Sequence, residues 1–372
     1  MTNLTRLRVA DSDLSSPIPQ ALCTLKLLWM LDLSANYLGA ELPQCLSNLT
    51  SLQSLSASGN RFSGDISLSP LPALLSLKEI DISDNQFRIP ISLFPFFNHS
   101  RLQYFYGGYN QEIYGDDHLD MVLQQGALLF QLRDLELYQQ PGYGGGYVGS
   151  FPKFLYHQTK LESVCITNVN ITGVAAGFPW WLLTNNTHLE FLYLSNCSLS
   201  GHFQIPIHQQ QQYPPHENLR ELYISTNEFF PGPIPPDICA FFPNLDYLSL
   251  SDNKFYGEIP SHYLSNCSSF RLLDARNNQL SGEIPRWIWN MSANSIIDLS
   301  KNKFSGHLPP GFISPLMKEV YLSRNQLEGT LPATLSDNQD GMSGADNYTN
   351  YLIGVLDLSH NRLMGTIPKW IG

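Results

Sequence analysis

A single pattern returns along the whole chain and restricts the folds that it can adopt. Residues 245–260 read LDYLSLSDNKFYGEIP, and the spacing of Leu248, Leu250 and Asn253 recurs at intervals of 23 to 30 residues, with one interval of 36. Recurrence of this kind indicates structural units that stack on one another. The positions equivalent to Asn253 are Ser12, Asn36, Asn60, Asn85, Asn110, Gln140, Val169, Cys197, Asn227, Asn278, Asn302, Asn325 and Asn361.

The leucine spacing predicts a short strand in each unit. Side chains two residues apart point to the same side of a strand, so Leu248 and Leu250 share a buried face and Ser249 points away from it. One unit cannot cover its own leucines, and stacked units therefore place their strands side by side in a parallel sheet. The asparagine follows the strand, where its amide can pair with backbone groups that the sheet no longer pairs.

These features predict an α/β fold of the leucine-rich repeat type. We expect a solenoid wound as a right-handed superhelix, with a parallel sheet on its concave side and short helices, 3-10 turns and loops on its outer side. The chain contains about 14 repeats. Residues 1–332 hold repeats 1–13, residues 333–352 form a polar insertion, and residues 353–372 form repeat 14.

Charge and hydropathy argue against several classes of partner. The formal net charge of −11 argues against nucleic acid as a ligand. No apolar run reaches the roughly 18 to 20 residues that cross a membrane. The chain starts inside a repeat rather than in a signal peptide. Because a solenoid needs a polar cap at each end and neither is visible, we expect a fragment of a longer protein or a truncated product.

Cysteine and asparagine usage indicates a secreted chain. The outer side of adjacent repeats allows Cys23 to bridge Cys45 and Cys239 to bridge Cys267. N-x-S/T sequons are frequent, which supports glycosylation, although repeats also copy sequons by descent. The sequon asparagines are Asn3, Asn48, Asn98, Asn170, Asn185, Asn196, Asn266, Asn290 and Asn347.

The middle repeats depart from the regular pattern. Gly107 stands where the second leucine of its repeat belongs, which predicts a weak point in the core or a bend in the strand. The insertion PGYGGGY at 141–147 predicts a flexible loop whose two tyrosines are either ligand contacts or solvated aromatics. Trp180 and Trp181 predict a short outer helix that packs on the core.

The consensus and several longer strings resemble a known family. LxxLxLxxNxLxGxIP, GSFPKFLYHQTKLES, WWLLTNNTHLEFLYLSNCSLSG and GVLDLSHNRLMGTIP are similar to the ectodomains of plant receptor-like proteins and related receptor kinases, and the resemblance covers residues 1–372. It implies a receptor at the outer side of the plasma membrane, or a secreted form, that binds a peptide or protein and recruits a co-receptor kinase. Residues 333–352 look like a short version of the family's island segment. Membrane attachment would come from a segment absent from this chain.

The outward strand positions of repeats 5–9 form the candidate binding surface. Regular repeats carry aspartate between the leucines, as at Asp32 and Asp298, whereas repeats 5–9 carry aromatic and charged residues. Tyrosine and arginine are enriched in binding hot spots. The patch is roughly 20–25 Å long and fits roughly six to eight residues of an extended peptide; alternatively, the aromatics stack for stability. The candidates are Tyr104, Tyr106, Tyr109, Arg133, Glu136, Tyr138, Phe191, Tyr193, Arg220 and Tyr223.

The sequence does not indicate an enzyme. It contains no nucleophile elbow, phosphate loop or zinc-protease motif, and it predicts no metal site and no cofactor. The hypothesis that fits best is an extracellular ligand-recognition ectodomain that signals through a partner kinase. Two alternatives remain open: a secreted plant-type inhibitor of a microbial cell-wall-degrading enzyme, and a truncated, non-signalling paralogue. The repeat number, the polar insertion and the acidic charge favour the receptor.

Overall fold

The computed structural model describes residues 3–115, 130–139, 148–171, 177–205, 214–260, 270–291, 294–312, 317–333 and 353–371. The chain divides into two units, Met1–Ser198 and Leu199–Gly372. The glycine-rich insertion at 141–147 and residues 334–352 of the predicted polar insertion lie outside the described residues.

The first unit is built from short strands joined by turns. Its strands are β1 (Arg6–Arg8), β2 (Met30–Asp32), β3 (Gly39–Glu41), β4 (Ser54–Ser56), β5 (Arg61–Asp65), β6 (Glu79–Asp81), β7 (Gln86–Pro90), β8 (Tyr104–Tyr106), β9 (Glu112–Tyr114), β10 (Asp134–Tyr138), β11 (Ser163–Thr167) and β12 (Phe191–Tyr193). Its 3-10 helices are Gln20–Thr24, Gln44–Asn48, Ile66–Leu68, Leu71–Ala73, Phe94–Phe96 and Lys153–His157, and its α-helix α1 is Trp180–Asn185.

The second unit repeats this construction. Its strands are β13 (Glu221–Tyr223), β14 (Tyr247–Ser249), β15 (Tyr256–Gly257), β16 (Leu272–Asp274), β17 (Gln279–Gly282), β18 (Ser295–Asp298), β19 (Lys303–Phe304), β20 (Met317–Tyr321), β21 (Glu328–Thr330), β22 (Val355–Asp357) and β23 (Arg362–Met364). Its helices are α2 (Ile238–Phe241) and the 3-10 helices Arg286–Asn290 and Lys369–Ile371.

Each unit has one main parallel sheet, as the leucine spacing predicts. In the first unit its order is β1-β2-β4-β6-β8-β10-β11-β12, and β3-β5-β7-β9 form a second parallel sheet. In the second unit the main order is β13-β14-β16-β18-β20-β22, with smaller sheets β15-β17-β19 and β21-β23. Neighbouring strands come from successive repeats, which confirms the leucine-rich repeat fold.

The asparagine after each strand joins two successive repeats, and we call this series of bridging asparagines the asparagine ladder. The Asn278 Nδ2 atom donates to the carbonyl oxygens of Leu250 at 3.0 Å, Ala275 at 3.2 Å and Arg276 at 3.1 Å. Its Oδ1 atom accepts from the Phe255 N–H group at 3.0 Å. The other asparagines that bridge to the preceding repeat through both amide atoms are Asn36, Asn60, Asn85, Asn110, Asn253, Asn302, Asn325 and Asn361.

Side chains other than asparagine occupy this position in three later repeats of the first unit, among them the buried Val169. Gln140, which is predicted at the asparagine position of its repeat, lies outside the described residues. Its neighbour Gln139 is buried and forms a parallel bridge with Asn110. In a later repeat the Cys197 Sγ atom lies 2.9 Å from the Ile166 carbonyl oxygen. The thiol thereby donates to the preceding repeat, as an asparagine amide would.

Neighbouring side chains occupy the space next to Gly107. A Cβ atom at this position would lie 2.9 Å from the Ile89 Cδ1 atom and 3.0 Å from the Phe105 Cε1 atom. Strand β8 ends just before the glycine, at Tyr106. The core is therefore filled here by larger side chains from its own and the adjacent repeat rather than by a second leucine.

The structure contains the predicted Cys23–Cys45 disulfide and the predicted short helix at the two tryptophans. Cys23 and Cys45 form a disulfide, with their Cα atoms 5.6 Å apart. Cys239 is also disulfide-bonded, while Cys267, its predicted partner, lies outside the described residues. Trp181 is part of helix α1, as predicted, and its ring stacks on that of Tyr156 with centroids 3.8 Å apart.

We predict that Asn278→Ala lowers the free energy of unfolding by about 2–3 kcal/mol, because it leaves the buried Phe255 N–H group without an acceptor. The measurement is urea denaturation followed by circular dichroism. Gln279→Ala is the matched control, since Gln279 is the exposed neighbour and its side-chain oxygen accepts a hydrogen bond from the Lys303 Nζ atom at 3.3 Å. Equal losses in the two variants would contradict a stabilising role for the ladder.

We predict a pH-dependent contribution from His99, which is fully buried against Phe96. Burial lowers its pKa below the ordinary value of 6.5, so the unfolded chain binds its proton more readily than the folded chain does. This contribution to stability is present above pH 6.5 and is lost as the pH falls towards the folded pKa.

The test compares wild type and His99→Phe by urea denaturation at neutral and acidic pH. The substitution keeps an aromatic ring and the sequon at Asn98. We expect the variant to lose less stability on acidification, by at most about 1.4 kcal/mol per pH unit. His188→Gln, at an exposed histidine, serves as control. An unchanged pH dependence in His99→Phe would refute the assignment.

Candidate functional site

Rows of half-buried side chains cross the main sheet of the first unit. Parallel pairing of β8, β10, β11 and β12 fixes which residues lie side by side. The first row is Tyr104, Asp134, Ser163 and Phe191; the second is Tyr106, Glu136, Cys165 and Tyr193; the third pairs Tyr138 with Thr167. We call the aromatic members of these rows, together with Tyr109, the tyrosine surface.

Tyr138 and Tyr109 pack against each other in this surface. Their ring centroids are 4.6 Å apart in an edge-to-face arrangement. The Tyr138 ring lies directly over Gly108, where a Cβ atom would come within 2.3 Å of it. Tyr109 has a positive φ of 53° and is 47% exposed. The glycine thus makes room for one ring, and the turn after β8 presents the other.

Tyr106 is held by a carboxylate that the sequence analysis missed. The Tyr106 hydroxyl donates to the Asp134 Oδ2 atom at 3.1 Å. The Asp134 Oδ1 atom is buried and has no hydrogen-bond partner among the described residues. Alternation from the buried Leu135 places Asp134 on the outward side, and this signal was available in the sequence. Arg133, which is predicted as a candidate instead, directly precedes Asp134 in the chain.

Burial and negative charge raise the pKa values of acidic groups in the first two rows. Burial raises the pKa of Asp134 and of Glu136 above their usual values. Burial and then the Glu136 charge raise the pKa of Cys165 to about 12, so that its thiol stays protonated at neutral pH. Strand β6, the neighbour of β8 in the sheet, places Glu79 beside Tyr104 and Asp81 beside Tyr106. The floor of the tyrosine surface is therefore acidic.

The two predicted arginines precede their strands and form ion pairs there. Arg133 is bound to Glu162 of the following repeat in the first unit. In the second unit the Arg220 Nη1 atom lies 3.5 Å from the Asp246 Oδ2 atom. Neither side chain belongs to the outward rows. The remaining candidate, Tyr223, is half-buried on β13 of the second unit, and burial raises its pKa to about 12.

Aspartates in the regular repeats close a local turn. The Asp32 Oδ1 atom accepts from the Ser34 hydroxyl at 2.6 Å and from the Ser34 N–H group at 3.1 Å. Asp298 binds Ser300 in the same way. Hydrogen bonds from Ser359 likewise hold the pKa of Asp357 below its usual value. The Asp-Leu-Ser motif is therefore structural.

Most described sequon asparagines are exposed. Asn170 is half-buried, and its Oδ1 atom has no partner among the described residues. Asn266 and Asn347 lie outside the described residues, as does the side chain of Asn290. The exposed sequon asparagines are Asn3, Asn48, Asn98, Asn185 and Asn196. Their exposure is compatible with glycosylation, which stays a prediction.

Among the described residues, no group of three or more His, Cys, Asp or Glu side chains is placed to hold a metal ion. The same part of the chain holds no helix with the length and apolar character that crossing a bilayer requires.

Known proteins are similar to the chain by sequence, one of them over nearly its whole length. The family model described as Leucine Rich Repeat matches residues 188–209, 244–267, 269–291 and 353–372. Cuscuta receptor 1 of Solanum lycopersicum is 32% identical, over 99% of this chain and 30% of that protein. Receptor-like protein 1 of Arabidopsis thaliana is 35% identical over 64% of this chain and 20% of that protein. The chain thus spans less than a third of either relative.

A solved structure of similar fold leads to the same class. The structure of the Arabidopsis receptor kinase HAESA, in complex with the peptide hormone IDA and the co-receptor SERK1, superposes on this chain with a TM-score of 0.70 and 25% sequence identity. The match covers 99% of this chain and 55% of the HAESA chain. With the parallel sheets and the asparagine ladder, this likeness shows that the chain has a leucine-rich repeat fold similar to that of a plant receptor ectodomain, and its sequence relatives include a plant receptor and a receptor-like protein.

Proposed function

We propose that this chain is the ligand-recognition part of an extracellular plant receptor and that the tyrosine surface binds an extended peptide or a protein segment. One observation carries the proposal: strands β8, β10 and β12 of the first unit carry half-buried aromatic side chains on the outward face, where regular repeats carry the self-closing Asp-Leu-Ser motif. Tyrosine offers a large contact area with little loss of rotamer freedom. Four strands spaced by about 4.8 Å span about 14 Å, enough for about four residues of an extended peptide.

The acidic floor suggests what the ligand carries. Asp134 and Glu136 lie side by side with the tyrosines. A lysine or arginine side chain of the ligand would balance the charge of these carboxylates and could also lie over a tyrosine ring. We therefore propose a ligand segment with a basic residue.

Signalling and localisation follow as proposals from the relatives. HAESA was crystallised with a peptide hormone and a co-receptor, and Cuscuta receptor 1 is named as a receptor. We propose that this chain likewise acts with a co-receptor kinase, at the outer side of the plasma membrane or in the secreted space. The matched family model describes a repeat and indicates no catalytic family. These matches favour a receptor over the inhibitor alternative.

We predict that Tyr138→Ala weakens binding of selected peptides by about thirtyfold, the effect of a tyrosine hot spot worth about 2 kcal/mol. The probe is a set of octapeptides selected against the wild-type chain from a random display library. Affinities are measured by biolayer interferometry, and circular dichroism verifies that the variants are folded. Lysine or arginine should be enriched among the selected sequences.

The matched control is Tyr256→Ala, which removes a tyrosine that is 48% exposed on β15, outside the main sheet. It should leave the affinities unchanged. If the selected peptides bind Tyr138→Ala as tightly as wild type, the tyrosine surface is not their site, and the proposal fails.

A further inference from the structure

The second unit contains a pocket that the tyrosine surface does not account for. It has a volume of about 520 Å³. We call it the basic pocket, and its lining residues are Tyr247, Arg271, Leu272, Asn294, Ile296 and Lys318.

The floor of the basic pocket is apolar and lies between two charged residues of its row. Strand pairing places Tyr247 beside Leu272 and Leu272 beside Ile296. The same row continues to Glu221 on one side and to Glu319 on the other. Three adjacent half-buried apolar or aromatic side chains therefore lie between two carboxylates in this row.

Two cations border this floor. Arg271 is exposed just before β16, and no carboxylate lies within ion-pair distance of it among the described residues. The Lys318 Nζ atom lies 3.5 Å from the Glu319 Oε1 atom, while the Tyr321 hydroxyl donates to the Glu319 Oε2 atom at 3.0 Å. Glu319 thus partly balances Lys318, and the pocket keeps a net positive charge in a chain of net charge −11.

A backbone irregularity places Lys318 at the pocket. Ser295 pairs with Met317, but the next residue, Ile296, pairs with Glu319, so that Lys318 is an extra residue in β20. Bulges of this type redirect a side chain and often occur beside functional sites. Without the bulge, alternation would give Lys318 a different place in the sheet.

We infer that the basic pocket binds a carboxylate that is attached to an apolar group. The guanidinium of Arg271 offers paired donors that match a carboxylate, and Lys318 adds a second charge. Leu272, Ile296 and the ring of Tyr247 would cover the apolar part. Two parts of a peptide carry this chemistry: a chain end with an apolar last residue, and an acidic side chain next to an apolar one. The inference adds a second ligand subsite to the proposed peptide recognition, but its test does not depend on the tyrosine surface.

The experiment titrates small probes into the 372-residue chain and follows the methyl signals of Leu272 and Ile296 by NMR. N-acetyl-leucine represents a chain end, and N-acetyl-glutamyl-leucinamide represents an acidic side chain. N-acetyl-leucinamide is the neutral control. We expect saturable shifts with at least one acidic probe and at least tenfold weaker binding of the neutral one; the stronger acidic probe identifies the source of the carboxylate.

Variants then assign the charge. Arg271→Gln should weaken binding of the acidic probe at least tenfold, and Lys318→Gln should weaken it to a smaller extent. Arg276→Gln is the matched control, because Arg276 pairs with Asp252 at 3.6 Å and does not line the pocket. No shift with either acidic probe, equal binding of the neutral probe, or unchanged binding to Arg271→Gln would each overturn the inference. None of these outcomes would affect the result obtained with Tyr138→Ala.

Discussion

The buried amide that joins each repeat to the one before it is the interaction on which this structure depends. Where a strand ends, backbone N–H and C=O groups leave the sheet inside a core without water, and an unpaired group there is costly. Asn278 carries both a donor and an acceptor, and it serves two repeats at once. The distance from strand to asparagine is therefore fixed, while the intervals between asparagines vary from 23 to 36 residues. The segments that differ in length between repeats therefore lie on the outer side and at the rims of the sheets.

The ladder changes in the same repeats that carry the tyrosine surface. Val169 is buried but has no polar group to bridge with. Its neighbour Asn168 donates instead to the Gln139 carbonyl oxygen at 3.1 Å and accepts from the Asn196 Nδ2 atom at 2.9 Å. Cys197 then supplies only a thiol. The bridging moves from the core towards the surface, so these repeats are joined by fewer buried amide bonds than the regular repeats are.

The sequence predicts the features that follow from the repeat period alone. It does not predict features that depend on contacts between adjacent repeats. Period alone gives the parallel sheets and brings Cys23 and Cys45 close enough for a disulfide. The burial of Gln139 depends on how the end of β10 meets Thr167 of the adjacent repeat, whose carbonyl oxygen accepts from the Gln139 N–H group at 3.4 Å. The bulge at Lys318 is equally non-local. Both involve one-residue shifts, which a repeat pattern read along a single chain does not reveal.

The Asp-Leu-Ser motif also determines where the acidic charge of the chain can act. Carboxylates such as Asp32 and Asp298 already accept hydrogen bonds from the serine two residues later, so part of their charge is used within their own turn. Asp134 and Glu136 have no serine at that spacing, since Glu136 and Tyr138 stand there instead. Their carboxylates are half-buried among aromatic rings, where an incoming positive charge is screened least. The net charge of the chain therefore says less about its ligand than these two residues do.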